Sequence, residues 1–351
     1  MLTKEIVLES LKNVLDPEIR KNLVELNMIK DIEISGQNVI INVVLTTKGC
    51  PLKDQIRKDI ISEVKKIEEV KNVEVVYGEM TEEERKKLIQ KLQGKDEKKD
   101  PFAKTRVIAV GSGKGGVGKS TVTANLAVAM SKLGYKVGII DADILGYSIP
   151  QIMGISNERP IMIEKDLVMP VEKLGVKVIS MGNLLERDEP IIWRGPMLGQ
   201  VLSQFIYDFY WGELDYMFID LPPGTGDMPL SLMQSLPKAE ILIITTPQIT
   251  AASVAKRLGL MADKINNRII GVIENMSYFI CDNCSKKHYI FGEGEGKNLS
   301  AELNTEFLGE IPLLTAIREG SDKGSILAGY INTEIGQIYS RIAKRLVETV
   351  A

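Results

Sequence analysis

The apolar positions of the chain fall into two regimes separated by a charged stretch. In the first, Ile6, Val7, Leu11 and Val14 recur at helical spacing, so Lys4–Val14 is predicted to be a helix. Two apolar runs, Ile29–Ile34 and Asn38–Thr46, flank Ser35-Gly36-Gln37 and read as a β-hairpin. Leu52–Ile67 is an amphipathic helix opened by Pro51, whose fixed φ and missing N–H suit a first turn. Val73–Tyr77 adds a short strand. The order α-β-β-α-β predicts a small domain over residues 1–80. Residues 81–104 are dense in charge of both signs and read as a linker.

From Thr105 onward apolar runs alternate with helical patterns, which predicts a doubly wound, mostly parallel α/β sheet over residues 105–351. The expected strands are Arg106–Val110, Lys136–Ile140, Val176–Ser180, Tyr216–Ile219, Glu240–Thr245, Ile269–Ile273 and Phe307–Gly309. Several are apolar on both faces, as buried parallel strands must be. The last helical pattern puts Ile335, Ile338, Ile342, Leu346 and Val350 on one face. Such a face packs on its own sheet far more often than on lipid.

Composition narrows the class. The 351 residues are 44% hydrophobic and 26% charged, which is ordinary for a globular protein with a large core. A net charge of −3 offers no broad basic footprint, so no nucleic-acid partner is expected. No apolar stretch approaches ~20 residues, so no membrane partner is expected. The three cysteines, Cys50, Cys281 and Cys284, make no disulfide framework, which points to a reducing cytoplasm.

The chemistry starts where the first strand of the larger domain ends. Gly113 to Ser120 has the spacing G-x-x-x-x-G-K-[ST] of a phosphate-binding P-loop. Gly113, Lys114, Gly115, Gly116, Val117, Gly118, Lys119, Ser120 and Thr121 are therefore expected around ATP. Glycines let backbone N–H groups approach phosphate oxygens, and a helix N-terminus adds partial positive charge. Lys119 should reach the β/γ-phosphates and Ser120 should hold Mg²⁺. Asp141 and Asp220 each end an apolar strand, the placement of a Mg²⁺-binding carboxylate. Gly224 and Gly226, in Asp220-Leu221-Pro222-Pro223-Gly224-Thr225-Gly226-Asp227, allow a loop that senses the γ-phosphate.

Cys281-Asp282-Asn283-Cys284 is a C-x-x-C pair on a turn, which reads as half of a metal site. His288 is a candidate third ligand, but in a polar loop it reads better as solvated. Cys50, just before Pro51, is a reactive or metal-binding thiol at a helix start, or a small buried hydrophobe. Two C-x-x-C loops meeting on a two-fold axis would give four thiolates, which suit zinc or an iron–sulfur cluster equally.

The motifs carry a resemblance. Lys114-Gly115-Gly116-Val117-Gly118-Lys119-Ser120 resembles the deviant Walker A of the MinD/ParA ATPases. That resemblance implies that Lys114 acts across a dimer interface, that Asp143 polarises the attacking water, and that Asn275 binds the adenine edge. With Trp193-Arg194-Gly195-Pro196-Met197, Asp220–Asp227 and the Glu274–Cys284 segment in the same order, the chain resembles the Mrp/ApbC family of iron–sulfur cluster carrier ATPases. Thr46, Cys50 and Pro51 fit the pattern of the small MIP-eighteen type domain of iron–sulfur assembly factors. The resemblance implies a homodimer that hydrolyses ATP slowly and holds a [4Fe–4S] cluster between subunits on Cys281 and Cys284. It further implies an upstream scaffold or donor, and apo iron–sulfur proteins as acceptors. Two rival readings remain: a MinD/ParA-like positioning ATPase, and a zinc-bridged dimeric scaffold with structural nucleotide.

Overall fold

The computed structural model describes residues 2–17, 21–45, 53–81, 84, 101–144, 146–164, 167–184, 195–234, 236, 238–281, 283–330 and 332–349. The chain divides into two compact units, residues 1–98 with 162–169, and residues 99–161 with 170–351.

In the first unit, α1 (Lys4–Leu11) is capped by Thr3, whose Oγ1 accepts the Ile6 N–H. Strands β1 (Ile29–Ser35) and β2 (Asn38–Leu45) form the antiparallel hairpin, turning at Gly36 with φ +62°. Helix α2 (Lys53–Val64) then returns the chain so that β3 (Asn72–Glu79) pairs parallel to β2. Val7, Leu11, Ile41, Ile56, Ile60 and Val64 close its core.

The second unit is built on eight strands: β4 (Arg106–Ser112), β5 (Val137–Asp141), β8 (Val171–Lys173), β9 (Val176–Ser180), β10 (Tyr216–Asp220), β11 (Glu240–Thr245), β12 (Ile269–Asn275) and β15 (Phe307–Ile311). Their order is β15-β12-β11-β4-β10-β5-β9-β8, parallel throughout except for β8 against β9. From β4 the chain runs to one side of the sheet, and after β10 it crosses to the other. The carboxyl end of β4 therefore faces the crevice where such sheets take ligands.

Two further two-stranded pairings are β6 (Ile161–Glu164) with β7 (Leu167–Met169), grouped from residue 162 on with the first unit, and β13 (Phe279–Ile280) with β14 (Lys287–His288) in the second. The helices of this part are α3 (Lys119–Lys132), α4 (Ile149–Ile152), α5 (Gly195–Tyr207), α6 (Asp227–Gln234), α7 (Ile249–Lys264), α8 (Glu295–Glu302), α9 (Thr315–Asp322) and α10 (Glu334–Glu348).

Strand pleating sends alternate side chains into two apolar layers. Ile108, Val110 and Phe218 join the layer of α3 and α10, while Ala109, Met217 and Ile219 join that of α5, α6 and α7. Ile335, Ile338, Ile342 and Leu346 of α10 are buried there, as the apolar stripe predicts; Val350 lies outside the described residues. Arg106 ties the two ends of the domain together. Its guanidinium pairs with Glu240 and donates to the Leu346 and Thr349 carbonyls of the α10 terminus.

The expected strands all form, several one or two residues longer than predicted. The short β6, β7, β8, β13 and β14 were not predicted, because two to four residues cannot establish a period. Most of the expected linker, residues 85–100, lies outside the described residues. Among the described residues no helix is long and apolar enough to cross a membrane.

Candidate functional site

The loop 113–118 joins β4 to α3, and its glycines serve different needs. Gly116 and Gly118 have φ of +80° and +82°, which a side chain would strain. A Cβ on Gly118 would also lie 2.3 Å from Asn275 Nδ2. Gly113 has an ordinary φ, but a Cβ there would stand 2.3 Å from the Ala255 backbone nitrogen of α7. Gly113 thus lets the loop pass against a helix, whereas Gly115 and Gly116 are exposed. Ser112 Oγ donates to the Lys114 carbonyl at 3.1 Å, and Asn275 Nδ2 donates to the Val117 carbonyl at 2.8 Å. The loop is braced from both sides. Ser120 and Thr121, half-buried, begin α3.

Asp220, fully buried at the end of β10, gathers the polar groups of α3. Its Oδ2 accepts from Lys119 Nζ and Ser120 Oγ, each at 2.6 Å, and its Oδ1 from Thr123 Oγ1 at 2.8 Å. A buried carboxylate needs such partners. Lys119 is only 6% exposed. Asp141 sits beside Asp220 in register on β5 and is equally buried. Burial and the Asp220 charge push its pKa up to about 7, against the Lys119 ammonium. Ser180 Oγ and the Ile149 N–H donate to Asp141 Oδ2 at 3.1 and 3.3 Å. Asp143 follows two residues later, and its N–H donates to Asp141 Oδ1 at 3.3 Å. Its own carboxyl is also raised, chiefly by burial.

Lys114 lies on the other side of the loop, where its Nζ donates to Gln248 Oε1 at 2.9 Å. Gln248 caps the start of α7.

The strand β12 joins this loop to the cysteines. Asn275 ends it, and Met276 turns with φ +56°. Ser277 N–H donates to the Ile311 carbonyl, and Leu313 N–H donates to the Tyr278 carbonyl, so the segment is fastened to the exit of β15. Glu274, just before, is 2% exposed. It accepts from Ser277 Oγ at 2.8 Å and from the Gly296 N–H at 2.6 Å, and burial raises its pKa. The β13–β14 hairpin follows. Ser285 N–H donates to the Cys281 carbonyl, Cys281 N–H donates to the Lys286 carbonyl, and Ser285 turns with φ +55°. The Sγ atoms of Cys281 and Cys284 and an imidazole nitrogen of His288 lie within 4.8 Å of one another.

The structure bears on both readings of His288, solvated residue or third ligand. It is exposed, as expected of a solvated residue, but it stands on β14 opposite Phe279 and beside both thiols. Thr123, Ser180 and Gln248 were not anticipated from the sequence. Of these only Thr123 left a signal, four residues after Lys119 and so on the same helix face. Cys50, with Thr46 and Pro51, lies outside the described residues, as do Trp193 and Arg194.

Comparison with known proteins follows the two units. The family described as "NUBPL iron-transfer P-loop NTPase" matches residues 103–347, and "Iron-sulfur cluster assembly protein" matches residues 4–75. An iron–sulfur cluster carrier protein of Mycobacterium leprae is 44% identical over 98% of this chain and 92% of its own. One of Synechocystis is 41% identical over 100% and 99%. Among solved structures, a nucleotide-binding protein of Archaeoglobus fulgidus in complex with ADP, with cobalt found in it, is 38% identical. It covers 69% of this chain and 97% of its own, with a TM-score of 0.60. The cell-division ATPase MinD of Pyrococcus furiosus, 23% identical with a TM-score of 0.52 over 70% of this chain and 99% of its own, shares the fold. The chain belongs to the family of iron-transfer P-loop NTPases, with an N-terminal iron–sulfur cluster assembly domain.

Proposed function

We propose that the protein is a homodimeric, ATP-hydrolysing carrier that holds a [4Fe–4S] cluster between its subunits and delivers it to apo-proteins. The observation that carries this reading is the pair of thiols on a hairpin directly continuous with the strand that braces the phosphate loop. The donor set fits the cargo, because soft thiolates are the usual ligands of iron–sulfur clusters. The buried face of α10 disfavours a lipid-docking, positioning role.

For ATP to bind, Lys119 exchanges Asp220 for the β/γ-phosphates, a charge-assisted contact of the same kind. Ser120, Asp141 and Asp220 are the residues that would hold Mg²⁺, which neutralises phosphate charge. Losing the Asp141 proton, held up to about 7, accompanies that step. Asp143 orients the attacking water. Lys114 leaves Gln248 and reaches the nucleotide of the other subunit when two subunits close. The adenine edge falls to Asn275. A reducing compartment, the cytoplasm, keeps the thiols available, and an upstream scaffold supplies the cluster.

Anaerobic reconstitution with iron and sulfide tests this. The expected product has one [4Fe–4S] per dimer, a brown charge-transfer band and transfer to an apo-acceptor. Cys281→Ala and Cys284→Ala should each remove it. Uptake of zinc alone, or a full cluster on either variant, would replace the carrier with a zinc-bridged scaffold.

A further inference from the structure

We infer that each protomer carries a self-contained site for a single divalent transition-metal ion, formed by Cys281, Cys284 and His288. This goes beyond the shared cluster and does not depend on it.

The geometry follows from the hairpin. Phe279 faces His288 and Ile280 faces Lys287 across the β13–β14 pairing. Side chains alternate faces along a strand, so Tyr278, Ile280, Lys287 and Tyr289 belong to one face, and Phe279, Cys281 and His288 to the other. Two contacts agree. Lys287 Nζ lies 3.9 Å from the Tyr278 ring centroid, and the Tyr289 ring meets Tyr278 edge-on at 6.5 Å. Cys281 and His288 are thus diagonal neighbours on one face, within reach of each other. The turn at Ser285, closed by its N–H on the Cys281 carbonyl, brings Cys284 back to the same point. The three ligand atoms lie within 4.8 Å of one another.

Two thiolates and an imidazole form a ligand set for Zn²⁺, Co²⁺ or Fe²⁺, and three protein ligands leave the fourth tetrahedral position open. Calcium and magnesium, which take oxygen ligands, are poor fits. A pair of thiols alone needs a second subunit to complete a site; a pair with His288 does not. The ammonium of Lys287 lies on the opposite face, over the Tyr278 ring.

Cobalt reports on this directly. Metal-free, reduced full-length protein is titrated with Co²⁺ at concentrations where sedimentation shows a monomer. One Co²⁺ per protomer is expected, with a thiolate-to-cobalt charge-transfer band and visible bands of tetrahedral strength. His288→Ala should weaken binding at least about tenfold, since even loss of an outer partner costs that much, and should shift the visible bands. His288→Cys should restore affinity and strengthen the charge-transfer band. The exposure of His288 makes both variants safe for folding, which circular dichroism of the metal-free proteins checks. One Co²⁺ per two protomers, or a His288→Ala protein with unchanged affinity and visible bands, overturns the inference. Either result leaves the bridging cluster standing, and failed cluster assembly leaves the single-ion site standing.

Discussion

Gly113 and Gly118 occupy equivalent-looking places in the phosphate motif, yet a methyl group would fail at them for different reasons. At Gly113 it meets helix backbone, which has no side-chain rotation to relieve the overlap. Gly113→Ala should therefore destabilise by about 1–3 kcal/mol, the usual scale of overpacking, and lower the unfolding temperature. Lys119→Ala acts on two levels. It should weaken ATP binding at least about tenfold in calorimetry, because each lost charge-assisted contact is worth about 1.5–3 kcal/mol. It also strands the Asp220 carboxylate, so the protein without nucleotide should unfold at lower temperature. An unchanged ATP affinity would remove Lys119 from the phosphate site. These roles were legible from spacing only in part. The motif placed Lys119 and Ser120 correctly at the start of α3, but no spacing shows that α7 crowds Gly113 or that Gln248 meets Lys114.

Secondary structure was most legible where burial was complete. Strands such as Glu240–Thr245 and Ile269–Asn275 read clearly because both faces are apolar. The β13–β14 pairing is two residues on each side, half exposed or fully exposed, and its sequence looks like a polar loop. His288, named as a candidate ligand, read as solvated for the same reason. Glu274 gives this scale its test. Its folded pKa is raised above 4.5, so the folded state keeps the proton to higher pH than the unfolded chain. Its contribution to stability is therefore full below 4.5 and falls as pH rises through the interval above. Glu274→Gln can still bond Ser277 and should flatten that fall above pH 4.5 in thermal unfolding. Parallel pH profiles for the variant and the parent would show that Glu274 does not titrate there.

For the molecule as a whole, the proposed chemistry depends on a second copy. Lys114 has a partner, Gln248, within its own chain. Lys114→Ala should leave nucleotide binding nearly intact and abolish turnover. Mixed with an equally inactive Asp143→Ala protein, it should recover part of the activity, because one mixed interface then retains a good lysine facing a good carboxylate. Mixtures that stay inactive would place the lysine's action within its own subunit.

Asn275 grips the phosphate loop at one end of a short tether, and Cys281 stands at the other. Six peptide steps reach at most about 20 Å, and the backbone bonds to Ile311 and Leu313 take up slack. A shift of the loop around phosphate should therefore be felt at the thiols, as through a stiff connecting rod. Two glycines inserted after Ser277 would leave the residues at both ends intact and make the rod slack. Cluster release from such a protein should then proceed at one rate whether ATP or ADP is bound; a nucleotide-dependent rate would mean the signal travels by another route.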